Sequence, residues 1–341
     1  MAVGDGAESS VRSYVAVGRE TTFGTYTAPS RAIEALSCGF MTSIEFEKID
    51  SLGLGNRGSH KRVTKDKKVG GGLEAYVHPQ ESVLLVANAL GGGIVSTLLT
   101  TGAYTHSLSA GNFNTDAASL CFNVRKGSTH TFRYSGGRIN QLKISASINE
   151  VVKASYDFIF KDSTITTSDD LASGLSISAV LPFTYVDGNF QYSSTETLAD
   201  TTTAREPIQA FELTLSNGLV SDSAARGLGS NVLQVLPATR RSVEFKITQR
   251  FDTSTAYNRF IQATQGAVLL KFRSQSIGST NQFYEMTIAM PKVYVDSADV
   301  EVKDTGSILQ AEIPFSVVVD TPNTTTGKDI AISFINEIAS Y

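Results

Sequence analysis

The sequence has no tryptophan, two cysteines and four histidines in 341 residues, and each scarcity removes a class of function. Without tryptophan the strongest stacking platform for sugars is missing, which weighs against a secreted carbohydrate-binding β-sandwich. Cys38 and Cys121 make neither a disulfide framework nor a C-x-x-C metal pair; they read as small core residues, compatible with a reducing, intracellular place of assembly. His60, His78, His106 and His130 show no ligand spacing, and at least three of them fall in expected loops or turns, so neither metal nor cofactor is expected. No G-x-S-x-G elbow occurs, and the carboxylates Asp169 and Asp170 lie in a polar stretch, so no catalytic residue is expected. The longest apolar run, VLLVANAL at 83–90, is far too short to cross a bilayer, and the opening MAVGDGAESS lacks a basic start and an apolar core. Neither membrane anchor nor signal peptide is therefore expected. A basic excess is missing too: the formal charge is −4, which argues against a dedicated nucleic-acid binder.

What is present is 41% hydrophobic residues, enough for a proper core, arranged mostly with period two. In QLKISASIN, Leu142, Ile144, Ala146 and Ile148 share one face and Lys143, Ser145, Ser147 and Asn149 the other, the pattern of a half-buried strand. KASYDFIF, AFELTLS, RSVEFKI, YEMTIAM and EIPFSVVVD behave alike. Two segments read as short helices against a sheet. HPQESVLLVANALGG has Pro79 near its start, a Val83, Val86, Leu90 stripe and Gly91 as a stop. DTSTAYNRFIQATQG has Asp252 or Thr253 as cap, Tyr257, Phe260 and Ile261 on one face, and Gly266 as a stop.

Residues 51–72, SLGLGNRGSHKRVTKDKKVGGG, contain G-x-G-x-x-G at Gly53, Gly55 and Gly58, followed by a basic run. A dinucleotide fingerprint needs a helix after the third glycine, and SHKRVTKDKKVGGG has no apolar stripe to form one. The alternative is a long, glycine-hinged basic excursion between two strands, either simply solvated or used as a contact arm toward a neighbouring subunit.

The order of elements is stated twice. In the first half it runs SIEFEKID, a loop with LGLGN, GLEAYV, a helix, then strands around CFNVRKGSTHTFRY, INQLKISAS and ASYDFIF. In the second it runs FELTLSNG, a loop with RGLGSN, SVEFKIT, a helix, then strands around LKFRSQSIGSTNQFYEM, KVYVDS and AEIPFSVVVD. RGLGSNV carries Val232 where the third glycine would be, which again speaks against phosphate binding. The polar stretch KDSTITTSDDLASG suggests two tandem domains, 1–165 and 166–341, in a mainly β chain. The second half repeats the long excursion at 221–241.

VGRETTFGTYTAPSRAIE, the DSLGLGNRG loop, VGGGLEAYVHPQESVLLVANALGG, FELTLSNG, RGLGSN, SVEFKITQRF and KVYVDSADVEVKDTGSILQAEIPFSVVVD, in that order, resemble the tail tube proteins of long-tailed, non-contractile, siphovirus-like bacteriophages. The resemblance implies β-sandwich or barrel-like domains, each with one flanking short helix and a long inter-strand loop. It implies rings that stack into the tube through which DNA is ejected, and a virion protein assembled in the bacterial cytoplasm. Six tube domains usually make a ring, so two per chain imply a trimeric, pseudo-six-fold ring, with a hexameric ring as the other possibility. The implied partners are copies of the same chain, the tape measure, terminator and distal tail proteins, and viral DNA in transient, non-specific passage. The loop that reaches a neighbouring subunit or ring corresponds to 51–72, giving Arg57, His60, Lys61, Arg62, Lys65, Lys67 and Lys68 as contact residues. Its repeat adds Arg226, Leu228, Val232, Leu233, Val235 and Leu236. Cations lining a DNA channel would grip phosphates, so these are expected to pair with carboxylates of an adjacent ring or to face away from the lumen. A terminator, a baseplate hub or a secretion-type tube is the alternative within the same class.

Overall fold

The computed structural model describes residues 13–49, 61–114, 118–127, 130–167, 175, 177–194, 206–298, 300, 308–320 and 328–341. The first half contains β1 (Tyr14–Arg19), β2 (Arg31–Ile33), β3 (Ala35–Cys38), β4 (Met41–Ile49), β5 (Lys61–Tyr76), α1 (Ser82–Leu90), β6 (Ile94–Thr100), β7 (Ala103–Ser109), β8 (Leu120–Lys126), β9 (His130–Ser147), β10 (Lys153–Phe160) and β11 (Asp162–Thr166). The second contains β12 (Gly188–Ser193), β13 (Ala210–Ser216), β14 (Ser242–Arg250), α2 (Thr255–Ile261), β15 (Gly266–Ser276), β16 (Phe283–Val295), β17 (Gln310–Val317) and β18 (Ala331–Asn336). The fold is mainly β, as the alternation requires, and every strand pairing is antiparallel.

The pairing scheme of the first half recurs in the second. The first runs β4–β5, β5–β10, β10–β9, β9–β8 and β8–β1. The second runs β13–β14, β14–β17, β17–β16, β16–β15 and β15–β12. Two pairings cross between the halves: β13 lies beside β9, from Ala210↔Ser147 to Ser216↔Gln141, and β18 beside β7. Strands β4, β5, β10, β9, β13, β14, β17 and the end of β16 therefore form one continuous sheet.

Two segments expected as separate strands are single long ones. HTFRY and INQLKISAS merge into β9, whose first part pairs with β8 and β11 and whose second part pairs with β10 and β13. YEMTIAM and KVYVDS merge into β16 through Pro291, which sits at a register irregularity where no ladder donor is needed. Long strands of this kind pass from one layer into the other and tie both into one core.

The main core is one apolar cluster spanning both halves. Its tightest part is aromatic: Phe40 sits 4.8–5.3 Å, centroid to centroid, from Phe122, Tyr134, Phe158 and Phe160. Phe40 reaches that position because the chain bends at Gly39, whose N–H donates to Gly72 O at 2.8 Å. On the opposing strand Gly71 has φ +142°, and a Cβ there would meet Gly39 O at 2.3 Å. The triple glycine 70–72 is thus packed inside β5 and is not a hinge.

Helix α1 is buried on every side, so its apolar character all round is required rather than a single stripe. It ends as expected at Gly91, φ +71°. Asn88 is its one amide in the core, donating to Ala118 O and accepting from Ile139 N–H. Helix α2 differs from expectation: Ser254 is the N-cap, Gln262 the C-cap, and Gly266 opens β15. Of its expected apolar face, Tyr257 and Ile261 are exposed, because α2 lies at the surface and buries only Ala256 fully.

Burial pushes the Tyr134 phenol up to about 12 from its ordinary 10 while its O–H donates to Phe40 O at 3.1 Å. A raised acid keeps its stabilising proton below pH 10 and loses that contribution as pH climbs toward 12. The thermal midpoint should fall over this window, and Tyr134→Phe should flatten part of the slope at a cost of about 1 kcal/mol at neutral pH. Gly71→Ala should destabilise by about 1–3 kcal/mol in urea titration, through the close Gly39 carbonyl and the backbone angle.

Candidate assembly surface

Strands β4 and β5 form a hairpin in register from Met41↔Gly70 to Ile49↔Lys61, with an irregularity at Glu45/Phe46. Beyond Val69, the last β5 residue paired with β10, the hairpin leaves the sheet body. All nine residues of β4 are exposed, and among the described residues β4 pairs with β5 alone. At roughly 3.4 Å per residue, β4 is about 30 Å long. The expectation of a loop over 51–72 is corrected for its second part: 61–72 is strand, held by the β4 ladder. Arg57 and His60 lie outside the described residues.

Four of the five cations of this strand, all but Lys61, have partners among the described residues. Lys68 pairs with Glu45 diagonally across the hairpin, and Lys65 approaches Glu47 at 4.0 Å. Lys67 pairs with Asp162 of β11 and donates to Ser163 O at 2.9 Å. The Arg62 guanidinium lies 3.8 Å from the Phe46 ring centre. The pair with Lys68 pulls the Glu45 carboxyl below its usual range and raises the Lys68 ammonium. Lys65, Lys67 and Lys68 thus each have a carboxylate of their own chain within 4.0 Å. Sequence reading missed Glu45, Glu47 and Asp162 as partners, since only strand register and folding place them opposite the lysines.

The second excursion, between β13 and β14, folds against the first. Arg226 pairs with Asp66 at 2.5 Å, with both side chains largely buried, and donates to Lys67 O, while Lys67 N–H donates to Asn231 O. Leu233 and Leu236 turn inward with Ala225 onto Phe23, Ile159 and Leu219 in a small separate core. Val232 is half-buried. Only Leu228, between Gly227 and Gly229, and Val235 offer exposed apolar side chains. The structure therefore brings the two expected contact segments together, and Arg226, Leu233 and Leu236 act within the chain.

At the other end of β9 and β13 lies a cavity of about 310 Å³. Ala146, Ile148, Phe190, Ile208, Phe211 and Phe272 are among its walls. The polar face of the continuous sheet carries a ladder across four adjacent strands. Lys143 of β9 pairs with Glu212 of β13 at 2.9 Å, Lys246 of β14 approaches Glu212 at 4.0 Å, and Lys246 pairs with Glu312 of β17 at 3.1 Å. Glu312 raises the Lys246 ammonium.

No group of metal-binding side chains occurs among the described residues, and no helix is long and apolar enough to cross a membrane. His78 bonds Val180 O and pairs with Glu34. His106 is buried in strand β7, rather than a loop, between Ser96 and Asn336. Cys121 is buried, donating to Thr27 O at 2.8 Å, and burial raises its thiol to about 11.

The sequence model of a family described as "Phage tail tube protein" matches residues 10–330. No curated protein is a match to the sequence. Among solved structures, the chain is similar to the SPP1 tail tube, determined by solid-state NMR and cryo-EM. That likeness is 9% identical over 47% of this chain and 81% of that one, with a TM-score of 0.30.

Asp66→Asn and Arg226→Gln should each cost roughly 1.5–3 kcal/mol, because each strands a largely buried charge. A double-mutant cycle in urea should give a positive coupling, and hydrogen exchange should speed up over 219–238 with little change in the aromatic cluster.

Proposed function

Because the chain belongs to the phage tail tube protein family, we propose that it is the structural subunit of a bacteriophage tail tube, polymerising as stacked rings around a channel for viral DNA. The observation that carries this reading is the family match across nearly the whole chain. The role is structural, in the virion tail, with assembly in the host cytoplasm. Tape measure, terminator and distal tail proteins are the other partners. The family is not an enzyme family.

The repeated pairing scheme supports two tube-like units per chain, joined at β9–β13, and hence three chains per pseudo-six-fold ring. The internal seam also suggests how chains join. By position in the repeat, β3 with the start of β4 corresponds to β13, and the end of β16 corresponds to the second part of β9. The open edge of β3–β4 would then take up, against the end of β16 in the next chain, the place that β13 holds against β9. An exposed strand edge satisfied by an identical neighbour is the cheapest way to close such a sheet. The β4–β5 hairpin, with Lys61, Arg62 and the described part of its tip, reaches from that edge toward the neighbour.

The polar face of the sheet is assigned to the lumen. Duplex DNA carries one charge per ~1.7 Å, so unpaired lysines there would bind phosphates, whereas the Lys143–Glu212–Lys246–Glu312 ladder cancels their charge.

Two experiments test this. Cross-sections of purified tubes by electron microscopy should show three chains per ring; six chains would remove the tandem-domain part of the reading. Glu212→Lys with Glu312→Lys should leave tubes assembled but make them retain duplex DNA at low salt in a co-sedimentation assay. Retention no different from the parent tube would show that this face does not line the channel.

A further inference from the structure

Two apolar features of unusual exposure lie at opposite ends of the same strands. Leu228 is fully exposed at the tip of the β13–β14 loop, which leaves the sheet after Ser216. The cavity is walled by Ala146 and Ile148 beyond the other end of β9, and by Gln209, Ala210 and Phe211 at the start of β13. The seven residues of β13 separate them by roughly 20 Å. Such a protrusion and recess on one chain cannot meet each other; they can only meet in a second copy related head to tail, a heterologous contact that propagates without closing.

Each feature is built for an occupant. The tip is held before contact: Arg226 is clamped by Asp66, Gln234 N–H donates to Ala225 O at 3.0 Å, and Ala225, Leu233 and Leu236 anchor the stem in their own small core. A stem so ordered loses little freedom when the tip docks. Around the cavity mouth Ile148 and Tyr185 are exposed, an apolar rim that no described residue covers. Among the lining residues, Asn189 Oδ1 and Gln209 Oε1 are sealed from solvent, so the recess offers an incoming tip mainly apolar walls, which suit one aliphatic side chain.

We infer that Leu228 of one copy seats in the cavity bounded by β9, β12, β13 and β15 of the copy stacked on it. The inference deepens the stacked-ring reading and rests on it. It assigns the axial contact to the second half of the chain, apart from the β4–β5 hairpin.

The test is a cysteine pair, Leu228→Cys with Ile208→Cys, oxidised after assembly, with each single variant as control. Cross-linked chains are expected from assembled double variant, and neither from the singles nor from dissociated subunits. Leu228→Asp should keep the parent melting temperature, since the side chain touches only solvent, while raising the concentration needed for assembly about ten- to a hundredfold. Tubes that form at the parent concentration with Leu228→Asp, and give no cross-link in the double variant, would overturn this contact while leaving the tube reading intact. A parent protein that forms no stacked rings under any condition would overturn both.

Discussion

The pairing of β9 with β8 and β11 over its first part, and with β10 and β13 over its second, is the constraint on which the rest depends. Its first part completes the layer with β8 and β11; its second part is sandwiched between β10 and β13. Buried backbone groups must be paired, so the second half of the chain is held wherever β13 can meet the free side of β9. Asn217 reinforces the junction, donating to Ala89 O at the end of α1 and to Ile139 O of β9. Once that seam is made, the two repeats share one core and one polar face, and their excursions emerge from the same end.

That shared end explains why the two excursions behave so differently from free arms. A projecting hairpin with exposed residues on both faces has little burial to stabilise it. Here the second excursion braces the first through Arg226, Asp66 and Asn231, and Lys67 ties it to β11. The charges in this region are therefore mostly structural, joining elements of one chain. The same economy holds on the sheet's polar face, where lysines and glutamates alternate across strands and leave a nearly neutral surface.

Much of the fold was legible. Period-two alternation located β9, β10, β13, β14, β16 and β17, because each has one face on the core and one in solvent. Gly91 located the end of α1, because only a left-handed residue closes that turn without strain. The pairing scheme recurs between the halves, from β4 through to β1 and from β13 through to β12. The contact residues were less legible. Lys61–Lys68 read as a loop because charges and glycines dominate it, yet cross-strand partners in β4 hold it extended. Leu233 and Leu236 read as exposed contacts because nothing local marks their burial; Phe23 and Ile159, which cover them, are far away in sequence. Short or edge strands such as β2, β6 and β11 carry too few alternations to stand out.

The sequence by itself determined a mainly β chain and a family resemblance over most of its length. Those properties depend on composition and local periodicity, which any stretch of chain carries with it. Tertiary structure alone decided that Lys65, Lys67 and Lys68 of the basic strand meet carboxylates of their own chain, that its counterpart loop braces it, and that Leu228 stands at one end of β13 with an apolar recess at the other. Each of these is a meeting of residues distant in sequence, and only the strand register fixed by the β9–β13 seam brings them together.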